Sequence, residues 1–331
     1  MNAEPLAQRL YRALSDGAFH SGSQLATRFG VTRSAVWKSL RTLAQQGVEV
    51  RAVPNRGYRL PQAGVPLEAA AIAAALAPAA AASLRRGEVC WSTGSTNADL
   101  LQRNDLPPGR FDFLLAEYQS AGRGRRARSW FAPPGGALCL SIGWTFAALP
   151  RQSGALSLAV GVCVLRALQA AGAREVALKW PNDLVARGAK LGGILIEMRS
   201  ETAGPAYAVI GIGLNVSLGA ALIERVRASG TQALDLATLG LVSCDRNALA
   251  AAVVSEVVTG LIRFEQQGFE SFAADWHRVD ALAGRAVVIH GSGEPVYGHA
   301  RGIDADGALC VQTRAGLSRF VCGEVSVRPQ E

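Results

Sequence analysis

Residues 111–146 read FDFLLAEYQSAGRGRRARSWFAPPGGALCLSIGWTF. Two apolar runs, 111–118 and 137–146, have the length and composition of buried strands. The segment between them has no period. In it Arg123, Arg125, Arg126 and Arg128 are threaded with glycine and lead to Trp130. A structureless connection of this length in a compact domain is either functional or disordered, and its position between two buried strands argues for function. Its glycines let the backbone close on a ligand, and its guanidinium groups offer bidentate forks to phosphate or carboxylate. The expectation is a sheet domain with a mobile cationic loop that waits for a small acid rather than for a nucleic acid.

A chain of 331 residues holds two or three domains. With 49% hydrophobic and 18% charged residues it can bury a large core and is not disordered. The net charge of +8 is unevenly placed: residues 1–60 carry nine Lys or Arg against three Asp or Glu. Any nucleic-acid partner therefore belongs to the N-terminus. The six cysteines stand singly, without C-x-x-C, which excludes a zinc ribbon and fits a reduced, cytoplasmic compartment. The run 67–84 is mostly alanine, contains Glu68 and is broken by Pro78, so it reads as a soluble helix or linker and not as a membrane span. Lysine occurs only at 38, 179 and 190 in a chain that otherwise uses arginine, a hint that those sites need a compact ammonium.

Residues 6–14 carry apolar positions at helical spacing, 23–29 form a second short helix, and Gly30-Val31 turn the chain. Thr32 is then an N-cap for a third helix that Gly47 stops. Residues 48–60 alternate and turn at Pro54–Gly57, as a hairpin does. This is a winged helix-turn-helix, in which the start of the last helix enters the major groove. Arg33, Ser34, Trp37 and Lys38 would face bases or phosphates, with Arg56 at the wing tip on phosphate. Trp37 has two readings, one as a base contact and one as packing against the wing.

Further along, 88–92 reads as a strand, and Ser95 or Thr96 opens a helix. Residues 153–172 form a buried helix, 191–198 and 206–216 are apolar strands, and 245–268 is a long amphipathic helix. Residues 282–329 alternate between glycine turns, as a small barrel of five or six strands does. No P-loop, no complete G-x-G-x-x-G, no H-E-x-x-H and no Ser-His-Asp order occurs.

The segments STN (95–97), EYQSAGRGRRARSW (117–130), KWPNDL (179–184), KLGGILIE (190–197) and GIGLNV (211–216), in this order, resemble biotin protein ligases. Residues 19–61 resemble the DNA-binding arm of the bifunctional members, ligase and biotin-operon repressor in one chain. The resemblance implies an α+β chain: a winged helix-turn-helix over 1–61, a central mixed α/β catalytic domain with a class II synthetase-like sheet over 62–277, and an SH3-like β-barrel over 278–331. It implies that biotin and ATP, with Mg²⁺, give biotinyl-5′-AMP and pyrophosphate. A lysine of the biotin carboxyl carrier protein of acetyl-CoA carboxylase then takes the biotinyl group. By motif, Ser95, Thr96, Asn97 and Gln119 would hold the biotin ring. Arg123, Gly124, Arg125 and Lys190 would surround its carboxylate, with Lys190 and Arg125 catalytic. Trp130, Lys179, Asn182, Asp183, Asn215 and Arg328 would join Arg125 on the ATP side, Asp183 as a partner of Mg²⁺. The resemblance further implies operator DNA as a partner and a ligand-promoted homodimer.

Ala127 and Ser129 depart from the family pattern, which carries glycine and lysine there, and the segment after Val216 offers no aromatic residue for adenine. Two other functions fit parts of the same sequence: a biotin-sensing DNA-binding regulator without ligase activity, and a ligase for another cofactor acid such as lipoate.

Overall fold

Three short helices and a wing open the chain. The computed structural model describes residues 4–61, 64–103, 105–200, 204–228, 230–242, 244–291, 293–321 and 326–329. Helix α1 (Leu6–Leu14) packs with α2 (Gly22–Phe29) and α3 (Arg33–Gln45) around Leu10, Leu14, Leu25, Val36, Leu40 and Leu43. Ser21 and Gln24 form a reciprocal capping box at the start of α2, and Gly30 ends it at φ +64°. The Thr32 hydroxyl accepts the Ala35 N–H at 3.2 Å, the cap expected for α3. The wing strands β1 (Arg51–Val53) and β2 (Gly57–Arg59) pair antiparallel, and His20 pairs with Tyr58 on the far side of β2.

The alanine-rich run is not one helix. It divides into α4 (Ala69–Ala74) and α5 (Pro78–Ser83), because Pro78 fits the first turn of a helix but not its interior. Strand β3 (Leu84–Thr93) therefore begins earlier than the expected residue 88. After α6 (Thr96–Leu101) come β4 (Phe111–Gln119) and β5 (Ala137–Phe146), the two strands that flank the arginine loop. Helix α7 (Leu156–Ala170) leads to β6 (Ala177–Lys179), β7 (Asp183–Ala186), β8 (Ala189–Ser200) and β9 (Ala206–Asn215). Together they make a seven-stranded sheet in the order β3-β4-β5-β9-β8-β7-β6, parallel only at β3/β4. Helix α8 (Ala220–Ala228) follows in the stretch that the sequence leaves unassigned.

Helix α9 (Arg246–Gln267), capped by Asp245, lies against α7 on the sheet. It was expected to be amphipathic, yet it is buried around most of its circumference, from Leu249 through Val253, Val257 and Leu261 to Phe264. Helices 153–170 and 246–267 are long and apolar enough to cross a membrane by length and composition, and both are two-thirds buried in this core. Helix α10 (Glu270–Val279) leads to β10 (Ala286–His290), β11 (Val296–Ile303), β12 (Leu309–Thr313), β13 (Gly316–Phe320) and β14 (Ser326–Pro329). These five antiparallel strands run in the order β13-β12-β11-β10-β14, with a bulge between Ala300 and Ile303. Their inner face joins the central core through Val287, Ile289, Leu309 and Val311, and the Trp180 indole donates to the Gly307 carbonyl at 3.0 Å.

The N-terminal part rests on the central sheet through Tyr11. Its ring meets Trp91 of β3 at 5.5 Å between centroids, and its hydroxyl donates to the Gly64 carbonyl at 3.1 Å. Gly47, just past α3, abuts Phe131 and Pro133 at the exit of the arginine loop.

Candidate active site and nucleic-acid interface

One cleft of about 1290 Å³ opens on the sheet face opposite α7 and α9. Ser95, Thr96, Asn97 and Gln119 line one part of it, and Arg123, Gly124, Arg125 and Trp130 line its lid. Lys179, Asn182, Asp183, Lys190 and Asn215 complete the set. Sites that span 120 residues of sequence thus converge on one hollow. The side chain of Arg328 lies outside the described residues; its backbone pairs with Val288 in β14/β10.

The polar end of the cleft is a closed hydrogen-bond network. Gln119 Oε1 accepts from the Thr96 N–H at 2.9 Å and from its hydroxyl at 3.1 Å. Ser141, fully buried in β5, stands 2.7 Å from Thr96 Oγ1 and donates to Asn97 Oδ1 at 2.6 Å. Asn97 Nδ2 donates to the Leu195 carbonyl at 3.2 Å and to Glu197 Oε2 at 2.9 Å. Both of its N–H groups are thereby used, and its oxygen keeps one lone pair. The Ser95 hydroxyl caps α6 by accepting the Ala98 N–H at 3.4 Å, so it serves the helix as well as the site. Ser141 and Glu197 escaped the sequence reading. A hydroxyl amid the apolar run of β5 and a carboxylate that closes KLGGILIE were the available signals.

The loop is less shapeless than its sequence. Arg123 and Ser129 form an isolated antiparallel bridge, the Gly124 N–H donates to the Arg128 carbonyl at 2.7 Å, and the Trp130 N–H donates to the Gly122 carbonyl at 2.8 Å. At the tip Arg126 and Ala127 both take left-handed φ, +57° and +56°, which a Cβ disfavours. Arg125 Nη1 donates to Asn182 Oδ1 at 3.2 Å, while its Nη2 is buried without a partner. An unpaired buried guanidinium nitrogen carries a desolvation cost that an incoming anion would remove.

Glycines of β9 make room for both ends of the cleft. A Cβ at Gly211 would overlap the amide of Asn97, and one at Gly213 would stand 2.6 Å from Trp130 Cε2. Trp130 also packs with Leu218, Leu222, Ile223 and Val226, so α8 supplies the apolar wall for which the sequence showed no aromatic. Residues 232–234 run along the start of β8: the Lys190 N–H donates to the Gln232 carbonyl at 2.8 Å, and Asn215 Nδ2 donates to the Leu234 carbonyl at 3.0 Å. Asn215 therefore braces this wall.

Lys190 Nζ and Asp183 Oδ1 are 2.5 Å apart across the β7/β8 pair. Among the described residues no group of three His, Cys, Asp or Glu could hold a metal. Asp183 meets Lys190 through Oδ1, so a Mg²⁺ here would take most of its ligands from ATP phosphates and water. The electrostatic character of the cleft is cationic: eight Arg or Lys side chains face two carboxylates among the described lining residues.

On α3, Arg33, Ser34, Trp37 and Lys38 are all exposed on the face opposite Val36 and Leu40. Trp37 is 49% exposed and lies under the Arg41 guanidinium at 5.5 Å, while Tyr58 of the wing packs on the domain core. Arg56 is exposed at the wing tip, with its guanidinium over Phe19 at 4.4 Å. The two cationic features thus present separate surfaces, one on the helix-turn-helix and one in the cleft.

The biotin/lipoate A/B protein ligase family matches residues 87–215. A helix-turn-helix family matches 7–59, and the biotin protein ligase C-terminal domain matches 283–328. Fold and site thus define a protein ligase of the biotin/lipoate class joined to a DNA-binding arm. The chain is 38% identical to the bifunctional ligase/repressor BirA of Escherichia coli over 331 residues, covering 100% of this chain and 99% of the relative. It is 38% identical over 248 residues to the biotin–[acetyl-CoA-carboxylase] ligase of Mycobacterium tuberculosis, covering 73% of this chain and 88% of the relative. The solved biotin protein ligase from Aquifex aeolicus in complex with biotin and ATP is similar at a TM-score of 0.63 and 25% identity, covering 75% of this chain and 99% of that one. The chain belongs to the family of bifunctional biotin protein ligase/repressors.

Proposed function

We propose that this protein is an ATP-dependent biotin protein ligase that also acts as a biotin-responsive transcriptional repressor. In the first half-reaction a biotin carboxylate oxygen attacks the α-phosphorus of ATP, and pyrophosphate leaves with the electrons of the broken P–O bond. In the second, the amine of a carrier-protein lysine attacks the acyl carbon and AMP leaves. The carrier is the biotin carboxyl carrier protein of acetyl-CoA carboxylase.

The observation that carries the substrate choice is the hydrogen-bond network at the cleft's polar end. A ureido ring offers two N–H donors and one carbonyl acceptor, which the lone pair of Asn97 Oδ1 and the hydroxyls of Ser95 and Thr96 can answer. A dithiolane ring offers neither and would leave the spare lone pair of Asn97 Oδ1 unanswered. Sites built for hydrogen bonding reject analogues that lack the partner by about 10⁴ or more. The network supports biotin over lipoate on that ground.

Two anions must approach each other in the first step. Lys190 and Arg125 lower that repulsion and stabilise charge on the phosphoryl oxygens. Asp183 holds the ammonium in place between turnovers. Arg123 and Gly124 close on the acyl-phosphate, and Trp130 with the α8 wall takes the adenine. Asn182, Lys179, Asn215 and Arg328 serve the nucleotide side. Mg²⁺ would arrive on the ATP phosphates, and no step here runs through a metal on the protein. A loop that covers a mixed anhydride excludes water and slows its escape.

Arg33, Ser34, Trp37, Lys38 and Arg56 form the surface for operator DNA, in a cytoplasmic setting. Ligand-promoted homodimerisation belongs to the same reading. The outer half of β8, Glu197–Ser200, pairs with β9 alone among the described residues, and an open strand edge invites a second copy. We place the first domain limit at 61/62 and the second at the end of α10, because the expected limit 277/278 would cut that helix (Glu270–Val279). The test is to mix the purified protein with biotin, ATP-Mg²⁺ and a biotin carboxyl carrier domain and to weigh the products. A carrier without the biotinyl mass increment would refute the ligase.

A further inference from the structure

Glu197 stands where the lid meets the polar end of the cleft. One carboxylate oxygen, Oε2, accepts from Asn97 Nδ2 at 2.9 Å and from Arg123 Nη2 at 3.2 Å. Asn97 belongs to α6 and is 4% exposed; Arg123 begins the lid turn that its bridge to Ser129 closes. A single atom of β8 thus ties the floor of the ring site to the hinge of the lid.

The consequence for Asn97 is chemical. An amide has two orientations that differ by exchange of its oxygen and nitrogen. Acceptors at Glu197 Oε2 and the Leu195 carbonyl, with the donor hydroxyl of Ser141 opposite, permit only one of them. In that orientation the spare lone pair belongs to oxygen, so the site presents an acceptor. The reversed amide would present N–H groups to the N–H groups of a ureido ring and would repel it. Gly211 leaves the amide no side-chain neighbour on its β9 side.

We propose that Glu197 is a positioning residue for the ligase reaction, which selects ring N–H donors by fixing the Asn97 amide and separately anchors the lid through Arg123. This inference rests on the biotin reading above. The two arms are separable because they need different things. Orientation of Asn97 needs only an acceptor, which glutamine retains. Attraction of the Arg123 guanidinium needs the charge, which glutamine lacks. The Arg123 pair is half exposed, at 47% and 27% of the two side chains, so its effect is the smaller.

The test uses full-length wild type, Glu197→Ala and Glu197→Gln. Two quantities are read: KM for biotin from pyrophosphate release, and the first-order loss of preformed biotinyl-5′-AMP after dilution. Glu197→Ala is expected to raise KM for biotin about tenfold and to speed adenylate loss about threefold. Glu197→Gln is expected to restore KM to within about twofold of wild type while its adenylate loss stays as fast as in the alanine variant. The inference is overturned by wild-type constants in Glu197→Ala. It is equally overturned if glutamine impairs KM as much as alanine does, or if both constants fall back together. A wild type that makes no adenylate from biotin defeats the underlying reading, and this inference with it; an active wild type with unmoved variants defeats this inference alone.

Discussion

Glu117 and Arg246 meet face to face, 129 residues apart in sequence, with both guanidinium NH₂ groups 2.9 Å from the two carboxylate oxygens. Their side chains are 4% and 1% exposed. Glu117 also accepts the backbone N–H of Leu67 at 2.7 Å and of Gly135 at 3.1 Å, and Arg246 donates to the Val65 carbonyl at 2.7 Å. The pair therefore fastens the interdomain linker, the loop exit and α9 to β4. Breaking one side of a buried pair leaves an uncompensated charge, at a cost of about 3–5 kcal/mol. Arg246→Met and Glu117→Gln should each lose that much in urea unfolding. The double variant should lose clearly less than the sum, and strict additivity would show that the two do not act as a pair.

Gly211 and Gly213 sit two apart on β9 and make room for different side chains, Asn97 and Trp130. Gly211→Ala should raise KM for biotin, because the new methyl overlaps the Asn97 amide. Gly213→Ala should raise KM for ATP about tenfold by displacing the Trp130 ring. Steady-state kinetics with each substrate varied in turn checks the pairing, and exchanged or equal effects would sink it.

Ala127 occupies a conformation made for glycine, φ +56°. Ala127→Gly should stabilise the lid turn by about 1 kcal/mol, the steric cost of a Cβ in the left-handed region. Trypsin should then cut more slowly at Arg125 and Arg126 in the ligand-free protein. Faster cutting would mean that the added chain freedom outweighs the relieved strain.

Lys190→Ala removes the ammonium that pairs with Asp183. Adenylate formation, followed as pyrophosphate release, should fall by about 10²–10³, the scale of losing one charged donor at a developing oxyanion. Retention of wild-type rates in the folded variant would remove Lys190 from the chemistry.

Burial pushes the thiols of Cys139 and Cys163 up from 9.0 to about 12. Between these values the unfolded chain releases thiol protons that the folded chain keeps. The folded state is thus the proton-rich one, and stability is fully present below pH 9 and falls as pH rises towards 12. Each thiol contributes a slope of about 1.4 kcal/mol per pH unit in that window. Cys163→Ala should flatten the alkaline limb of a stability–pH curve; an unchanged limb would refute the assignment.

Local chemistry was legible without coordinates wherever one segment carries the whole signal. Thr32 caps α3 and Gly30 closes α2, because a hydroxyl before an apolar period and a glycine after one act within a single turn. The apolar runs around the arginine loop became β4 and β5, because runs this short, rich in large apolar side chains and bounded by turn residues, suit strands buried on both faces. The motifs that line the cleft were also readable, and thirteen of those residues do face it. What the tertiary structure alone decided is partnership. Ser141 and Glu197 matter because β5 and β8 bring them to Asn97 from distances of 44 and 100 residues. Asp183 is held by Lys190 because β7 and β8 pair in that register. The apolar wall of the cleft exists because α8 folds back towards Trp130. Periodicity and caps are properties of adjacent residues, whereas the orientation of an amide or the engagement of a carboxylate depends on atoms that only long-range packing brings within 3 Å.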